Sequence, residues 1–302
     1  MKYLPAILAL LNSFSLFGQL PEVVSGKIVR ITPSELQSTY LRSRSVDVWL
    51  PEGYDTTKKY AVLYMHDGQQ LFDGKTTFNK QEWGVDENMS ELIRTGKIKE
   101  TIVVGIWNTP DRRLEYYPAK AFNYLSKPWQ DSLRKDVNLS GNEKPKSDAY
   151  LKYIVYELKP YIDKNFSTRS DQANTYIGGS SMGGLISLYA LCEFPKVFGG
   201  AICISTHWPS SVFRNEPQIA DAMLKYMRKK LPKAKKHKIY FDFGTTTLDA
   251  WYEPYQRKAD DIMRKKKYDS TLWKTRKFEG AAHDENAWHS RLPIPLSFML
   301  AP

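Results

Sequence analysis

The sequence predicts an α/β protein with a mostly parallel sheet of about eight strands flanked by helices. Three observations predict this class. Short β-branched or apolar runs alternate with longer amphipathic stretches, and a glycine-rich turn joins one of these runs to an apolar helix. The length of 302 residues is also sufficient for one large α/β domain.

The expected elements follow from hydrophobic periodicity along the chain. The expected strands are the short apolar segments 27–31, 46–50, 60–65, 101–106, 175–178, 200–204, 238–243 and 272–278. The expected helices are 86–96, 148–166, 182–194, 218–230, 252–267 and 285–299. In segment 148–166, for example, apolar residues recur three and four positions apart, which gives that helix one apolar face.

The first residues have the pattern of a secretory signal peptide. Lys2 precedes an apolar run over 3–11, and a less apolar stretch then leads to Gly18. A membrane anchor is the weaker interpretation, because about 20 apolar residues are needed to span a bilayer. We therefore expect cleavage between Gly18 and Gln19, a single domain over 19–302, and a secreted or periplasmic protein without stable membrane insertion.

One segment of the expected domain departs from the alternating pattern. Residues 115–147 are polar, contain three prolines and still carry several aromatic residues, so we expect a long loop. Those aromatic residues predict either a flap that faces the substrate or a loop packed on the body of the domain.

The chain is basic, with 44 Lys and Arg against 33 Asp and Glu, and the excess is concentrated at 225–238. Such a run is typical of a solvated face, and the alternative is attraction to an anionic polysaccharide, envelope or substrate. It lacks interleaved aromatic residues for stacking bases, so no nucleic-acid partner is expected. Cys192 and Cys203 lie in apolar surroundings, which favours buried free thiols over a disulfide between them.

The strongest chemical motif is Gly-x-Ser-x-Gly, from Gly179 to Gly183. It follows the expected strand 175–178 and opens the expected helix 182–194, which is the strand-turn-helix context that this motif requires. The sharp turn presents the hydroxyl of Ser181 at the carboxyl edge of the sheet. We interpret Ser181 as a nucleophile.

A nucleophilic serine needs a histidine base that is oriented by a carboxylate. In this strand-turn-helix class the acid and the histidine follow the serine in the chain. His283 lies in a loop directly after the last expected strand, whereas His289 falls in the final helix. Asp249, after strand 238–243, is the expected acid, and Glu253 one helical turn later is the alternative.

Backbone N–H groups must also stabilise the oxyanion that develops on the substrate. Met182 supplies one because it follows the nucleophile. We expect the second from Gln69, in the loop after strand 60–65, where Gly68 allows a close approach of the backbone.

With these motifs placed, the chain resembles the putative esterase (esterase D-like) family of α/β-hydrolases. The likeness spans about 45–300 and depends on Leu63-Tyr-Met-His-Asp-Gly-Gln, Val103-Val-Gly-Ile-Trp-Asn, the segment Arg113 to Pro118, Gly179-Ser-Ser-Met-Gly-Gly-Leu, Ser205 to Trp208, and Gly280-Ala-Ala-His-Asp-Glu. This family includes feruloyl and acetyl-xylan esterases, S-formylglutathione hydrolases, enterochelin esterases and mycolyltransferases. The resemblance implies an α/β-hydrolase fold with no cofactor and no metal. It also makes Asp67, Arg113 and Trp208 candidate substrate-binding residues, with a core position as the alternative for Trp208.

The sequence therefore predicts a secreted serine carboxylic-ester hydrolase that acts through an acyl-enzyme. The expected substrate is a small-molecule or polysaccharide-linked ester, above all a feruloyl or acetyl ester of a polysaccharide. The alternatives are hydrolysis of a siderophore ester, acyl transfer to an alcohol, and a binding protein that keeps the fold without turnover.

Overall fold

The computed structural model describes residues 19–136 and 144–302, and the expected signal peptide, 1–18, lies outside them. The described part contains eight strands: β1 (Lys27–Ile31), β2 (Val46–Leu50), β3 (Ala61–His66), β4 (Thr101–Ile106), β5 (Thr175–Ser180), β6 (Gly200–Ile204), β7 (Lys238–Phe243) and β8 (Trp273–Lys277). Every expected strand is present, with ends that differ by at most two residues.

The strands form one sheet in the order β1-β2-β4-β3-β5-β6-β7-β8. β2 is antiparallel to both of its neighbours, and all the other adjacent strands are parallel. The sheet is thus mixed at one edge and parallel elsewhere, which confirms the predicted fold class. The carboxyl ends of β3, β5, β6, β7 and β8 all lie at one edge of the sheet, where a parallel sheet carries its functional loops.

Helices cover both faces of this sheet. They are α1 (Val85–Arg94), α2 (Arg112–Tyr116), α3 (Ala119–Phe122), α4 (Lys127–Asp136), α5 (Ser147–Lys152), α6 (Lys159–Asn165), α7 (Met182–Glu193), α8 (Pro217–Lys230), α9 (Glu253–Lys265), α10 (Glu285–Arg291) and α11 (Pro293–Leu300). Side chains alternate between the faces along each strand. On β3, for example, Tyr64 packs into the cluster under α7 and α8, whereas Leu63 packs into the cluster under α1 and α11.

Prolines interrupt the regular α-helical pattern in two of the expected helices. The expected helix 148–166 runs as α5, a π-helical turn over Tyr153–Leu158 and α6. Pro160 is the second residue of α6, just beyond that turn, and its ring would clash with a carbonyl of the preceding turn in a regular α-helix. The expected helix 285–299 is broken between α10 and α11, immediately before Pro293.

The segment 115–147, expected as a long loop, instead contains the end of α2, all of α3 and all of α4 among its described residues. Tyr116, Tyr117 and Phe122 are buried, so these aromatic side chains pack on the body of the domain and do not form an exposed flap. Burial of large aromatic side chains supplies the apolar contact that holds these short helices in place.

Cys192 and Cys203 are both free and buried, and burial raises the pKa of each thiol. Within the described ranges, no helix is both long and apolar enough to cross a membrane.

Candidate active site

Ser181 occupies a sharp turn between β5 and α7. Its backbone has φ 57° and ψ −122°, a conformation that costs a non-glycine residue about 1–3 kcal/mol. The turn is held by the Ser181 N–H, which donates to the carbonyl of Ile204 at the end of β6 over 2.9 Å. A Cβ on Gly179 would lie 3.1 Å from the Cα of Gly183, so small residues on both sides let the turn close.

Three side chains form a hydrogen-bonded chain at the carboxyl edge of the sheet. The Oγ of Ser181 lies 3.0 Å from Nε2 of His283. On the other side of the imidazole, Nδ1 lies 2.5 Å from Oδ1 of Asp249. His283 follows β8 and Asp249 follows β7, so the topology brings together groups that are 102 and 34 residues apart in sequence.

The carboxylate of Asp249 is buried and held by two further donors. The backbone N–H of Gly244 and the hydroxyl of Ser205 both donate to Oδ2, each over 2.6 Å. Glu253, the alternative acid, begins α9 and forms ion pairs with Arg257 and Lys277. The carboxylate that contacts His283 is therefore that of Asp249.

Behind Asp249 lies a buried polar network that sequence reasoning did not identify. The Oγ of Ser205 accepts hydrogen bonds from Nη2 of Arg291 over 2.7 Å and from Nε1 of Trp288 over 3.1 Å. Arg291 also donates to Oδ1 of Asp242 over 3.1 Å and lies 3.8 Å from Oδ2 of Asp249. The guanidinium of Arg291 thus lies between the buried carboxylates of Asp242 and Asp249. A buried charge without a partner would be costly at this place, and the guanidinium and the carboxylates compensate each other.

Burial raises the pKa of Asp242 to about 6, although the charge of Arg291 acts in the opposite direction. Ser205 adopts a positive φ of 43° directly after β6. Its position after a parallel strand was a usable signal, whereas Arg291 lies within the last helical pattern and carries no local signal.

Two aromatic side chains hold the imidazole of His283 between them. Trp288 and Tyr252 each meet it edge-on, with ring centroids 5.1 Å and 5.7 Å away. The hydroxyl of Tyr252 is 2.6 Å from Nδ1 of His207, which is itself buried. Burial lowers the pKa of His207 well below its usual value, so this neighbour adds no positive charge beside His283.

The two expected oxyanion donors lie at the start of α7 and in the turn that follows β3. Met182 is the first residue of α7, where backbone N–H groups have no acceptor within the helix. Gln69 lies in the 3-10 turn Gly68–Gln70 after β3, and its side-chain amide donates to Asn108 over 2.7 Å and accepts from it over 3.0 Å. A Cβ on Gly68 would lie 2.3 Å from the backbone of Gly105, so this loop rests directly on β4.

Asp67 is buried and already bound by protein groups. Arg112 donates to both of its carboxylate oxygens, over 2.6 and 2.8 Å, and Asn108 adds a third hydrogen bond of 2.5 Å. Burial acts to raise the pKa of Asp67, but these partners outweigh it and lower the pKa. Asp67 thus anchors the loop that carries Gln69.

The other two candidate substrate-binding residues, Trp208 and Arg113, are not among the residues that line the cleft around Ser181. Trp208 is fully buried and donates to Gln256, because the chain turns inward after β6 and packs this ring near Phe241. Arg113 points toward the carbonyl of Ser210, and the neighbouring Arg112 faces the cleft in its place.

Ser181 lines an open cleft of about 490 Å³. The cleft is lined mainly by polar side chains, with one exposed phenyl ring at its rim: Asp67, Gln70, Phe78, Asn79, Gln81, Asn108, Arg112, Ser180, Ser181, His283, Asp284, Glu285 and Trp288. Phe78 is 84% exposed, far more than a core phenylalanine. This arrangement of hydroxyl, imidazole and carboxylate beside an open cleft is the one that serine hydrolases use.

Comparisons with known proteins agree with the fold. The "Putative esterase" family model matches residues 38–294. A curated relative, "Endo-1,4-beta-xylanase/feruloyl esterase" of Xylanibacter ruminicola, is 28% identical over 182 residues, which cover 57% of this chain but only 21% of the relative.

Two solved structures share the fold at low identity. One is a ferulic acid esterase, with 21% identity, a TM-score of 0.61 and coverage of 91% of this chain and 98% of that one. The other is the enterobactin esterase FES from Shigella flexneri, with 17% identity, a TM-score of 0.65 and coverage of 92% and 60%. Because the family model spans most of the sequence, the chain belongs to the esterase family and is an esterase.

Proposed function

We propose that this chain is a secreted serine carboxylic-ester hydrolase that acts through an acyl-enzyme, with feruloyl or acetyl esters of polysaccharides as its substrates. The observation that carries the proposal is the continuous chain of contacts from the Ser181 hydroxyl through His283 to Asp249, at the base of an open cleft.

In the proposed reaction, the Oγ of Ser181 attacks the ester carbonyl while Nε2 of His283 takes the hydroxyl proton. The tetrahedral intermediate then collapses, the bond to the alcohol breaks, and His283 returns the proton to the departing alcohol oxygen. Water repeats the sequence on the acyl-enzyme and releases the acid. Asp249 keeps the N–H of the imidazole at Nδ1, so that Nε2 is free to accept the proton.

The backbone N–H groups of Met182 and Gln69 are the proposed oxyanion donors. Each such donor is worth about 3 kcal/mol of transition-state stabilisation. The paired amides of Gln69 and Asn108, together with the Asp67–Arg112 ion pair, fix the loop before the substrate binds. Preorganised donors of this kind need no rearrangement during the reaction.

The charges of the cleft favour a neutral ester over an anionic one. Arg112 is the one permanently cationic side chain among the described lining residues, and its ion pair with Asp67 offsets its charge. Asp284 and Glu285 add two further carboxyl groups. An iron-loaded siderophore is anionic and would be repelled, whereas amide side chains and the exposed ring of Phe78 suit a sugar or an aromatic acyl group.

Hydrolysis of methyl ferulate and p-nitrophenyl acetate by the chain from Gln19 tests this proposal. Ser181→Ala should abolish both activities. The matched control is Ser187→Ala, which removes a buried serine hydroxyl of α7 that donates only to the carbonyl of Gly183. Activity that survives in Ser181→Ala would refute the proposed nucleophile. Turnover of p-nitrophenyl acetate alone would keep the mechanism and direct the substrate search to acetyl or siderophore esters.

Export can be tested separately. The expected result is a protein in the medium or periplasm of an expressing bacterium whose first residue is Gln19. A protein that stays in the cytoplasm with Met1 intact would contradict secretion without affecting the assigned chemistry.

A further inference from the structure

Two segments that are distant in sequence meet at one end of the molecule and form a strongly basic surface. We define this basic surface by its ten cationic residues: Lys225, Arg228, Lys229, Lys230, Lys233, Lys235, Lys236, Lys265, Lys266 and Lys267. The two segments contact each other, because Tyr268 donates to the carbonyl of Pro232 over 3.1 Å and Lys266 donates to the carbonyl of Leu231 over 3.4 Å.

The charges of the basic surface are not neutralised within the described part of the chain. Nine of the ten side chains are exposed and Lys266 is half-buried, and none forms an ion pair with residues in 19–136 or 144–302. Two carboxylates that lie four residues before basic residues of this surface are engaged elsewhere: Asp221, before Lys225, pairs with Lys258, and Asp261, before Lys265, pairs with Arg264. Without these ten cations, the formal net charge of the chain would be +1 instead of +11.

Fold stability explains only part of this clustering. Cations in the last turns of α8 and α9 interact favourably with the helix dipole, which accounts for Arg228, Lys229, Lys230 and Lys265. That effect ends with the helix and does not extend to the loop lysines at 233, 235 and 236. Unneutralised like charges repel each other, and an external polyanion bound to this part of the surface would relieve that repulsion.

The basic surface is remote from the esterase cleft. β7 begins at Lys238, directly after the basic loop, and its other end leads to Asp249. Six residues of strand span about 20 Å, so the two sites lie at opposite edges of the sheet. A ligand on the basic surface would therefore leave the cleft open.

We propose that this surface binds an acidic polysaccharide that carries carboxylate groups, such as a polyuronate, and so holds the enzyme on its polymer. Nine of the ten cations are lysines, whose compact, hydrated charges can each pair with a separate carboxylate along a polymer without the bidentate geometry that arginine provides. Among the described residues, the exposed large hydrophobic side chains all lie outside the basic surface, so this part of the chain offers no apolar wedge for a bilayer and no exposed ring for stacking bases there. Lys225 and Lys229 both lie over the ring of Tyr124, at 5.0 and 4.9 Å.

Binding to immobilised, fully de-esterified polygalacturonate tests the proposal. This polymer carries no ester, so the result is independent of the proposed esterase reaction. The test protein carries Lys229→Gln, Lys233→Gln and Lys236→Gln. The matched control carries Lys27→Gln, Lys59→Gln and Lys97→Gln, which remove the same charge from exposed lysines near β1, β3 and α1.

We expect the unsubstituted protein to bind polygalacturonate, and to bind more weakly as the salt concentration rises. The test protein should bind about tenfold more weakly, which is the cost of losing three modest surface ion pairs. The control should bind nearly as well as the unsubstituted protein, and neutral xylan should not bind.

Three results would overturn the proposal. They are no binding of the unsubstituted protein, equal weakening in the test and control proteins, and tighter binding to duplex DNA or phosphatidylglycerol vesicles than to polygalacturonate. Hydrolysis of p-nitrophenyl acetate should be unchanged in both variants, which shows that they are folded.

Discussion

Ser205→Ala removes the hydroxyl that joins Asp249 to Arg291 and Trp288. The methyl group fits where the hydroxymethyl group was, and the positive φ of 43° is kept, so the change isolates three hydrogen bonds. Two of the partners retain another contact, because Asp249 still accepts from Gly244 and Arg291 still donates to Asp242. Nε1 of Trp288 loses the one partner that it has among the described residues.

The magnitudes follow from these contacts. An orphaned buried donor costs about 1–3 kcal/mol, and the two weakened partners add about 1 kcal/mol, so the free energy of unfolding should fall by about 2–4 kcal/mol. The contact between Asp249 and His283 does not involve this hydroxyl. We therefore expect kcat/KM to fall only about tenfold, which corresponds to about 1.4 kcal/mol.

Urea unfolding followed by tryptophan fluorescence measures the stability, and hydrolysis of p-nitrophenyl acetate measures the activity. Ser187→Ala is the matched control, because it removes a buried hydroxyl with a single hydrogen bond and should cost about 1 kcal/mol. The reasoning is wrong if Ser205→Ala is no less stable than Ser187→Ala, or if its activity falls about a thousandfold while the protein remains folded.

Three further predictions concern the acid, the oxyanion loop and the dependence of stability on pH. Asp249→Asn should lower kcat for p-nitrophenyl acetate by about 10³-fold or more, because His283 loses its orienting carboxylate. The control Glu253→Gln should leave kcat within about twofold. Equal losses in the two variants would contradict the assignment of Asp249 as the acid that orients His283. Gly68→Ala should lower kcat at least about tenfold in a protein that remains folded, because its Cβ would lie 2.3 Å from the Gly105 backbone and displace the loop. A wild-type kcat would show that the loop accommodates a methyl group. Burial lowers the pKa of His66 to about 3, below its unfolded value of about 6.5, so its contribution to stability is complete above pH 6.5 and is lost as the pH falls toward 3. Between pH 7 and pH 4 the wild type should lose about 3 kcal/mol more stability to urea than His66→Gln does, and equal losses would show that this imidazole is protonated in the folded state.

The fold could be predicted largely from the sequence because its signals are local. The eight strands are short runs of β-branched and apolar residues, and hydrophobic periodicity located them to within two residues. Proline effects were harder to predict. Pro160 is accommodated by a π-helical turn within a continuous helix, whereas Pro293 separates α10 from α11, and the tertiary contacts that decide between these outcomes are not local.

Part of the candidate site could be predicted for a topological reason. Ser181, Asp249 and His283 each follow a parallel strand, and the carboxyl ends of such strands meet at one edge of a sheet. The choice between Asp249 and Glu253 required side-chain geometry. Sequence could not reveal the role of Arg291, because its significance depends on a buried contact with Ser205, 86 residues away.

Aromatic residues show a further limit of sequence reasoning. Trp208 and Phe78 both lie in connections beyond strand ends, and nothing local distinguishes them. Trp208 is fully buried against Gln256, while Phe78 is 84% exposed at the rim of the cleft. Whether an aromatic side chain in a loop is buried depends on how neighbouring helices and loops pack around it, and this packing is known only from the folded structure.

Labelling with a fluorophosphonate probe, mapped by peptide mass spectrometry, tests the central claim most directly, because only an activated serine reacts readily. We predict one adduct, on the peptide that contains Ser181. Labelling should be absent in Ser181→Ala and much slower in His283→Gln, which keeps a polar side chain without the base. A wild-type protein that remains unlabelled, or that carries the adduct on another serine, would contradict the claim that Ser181 is the nucleophile activated by His283.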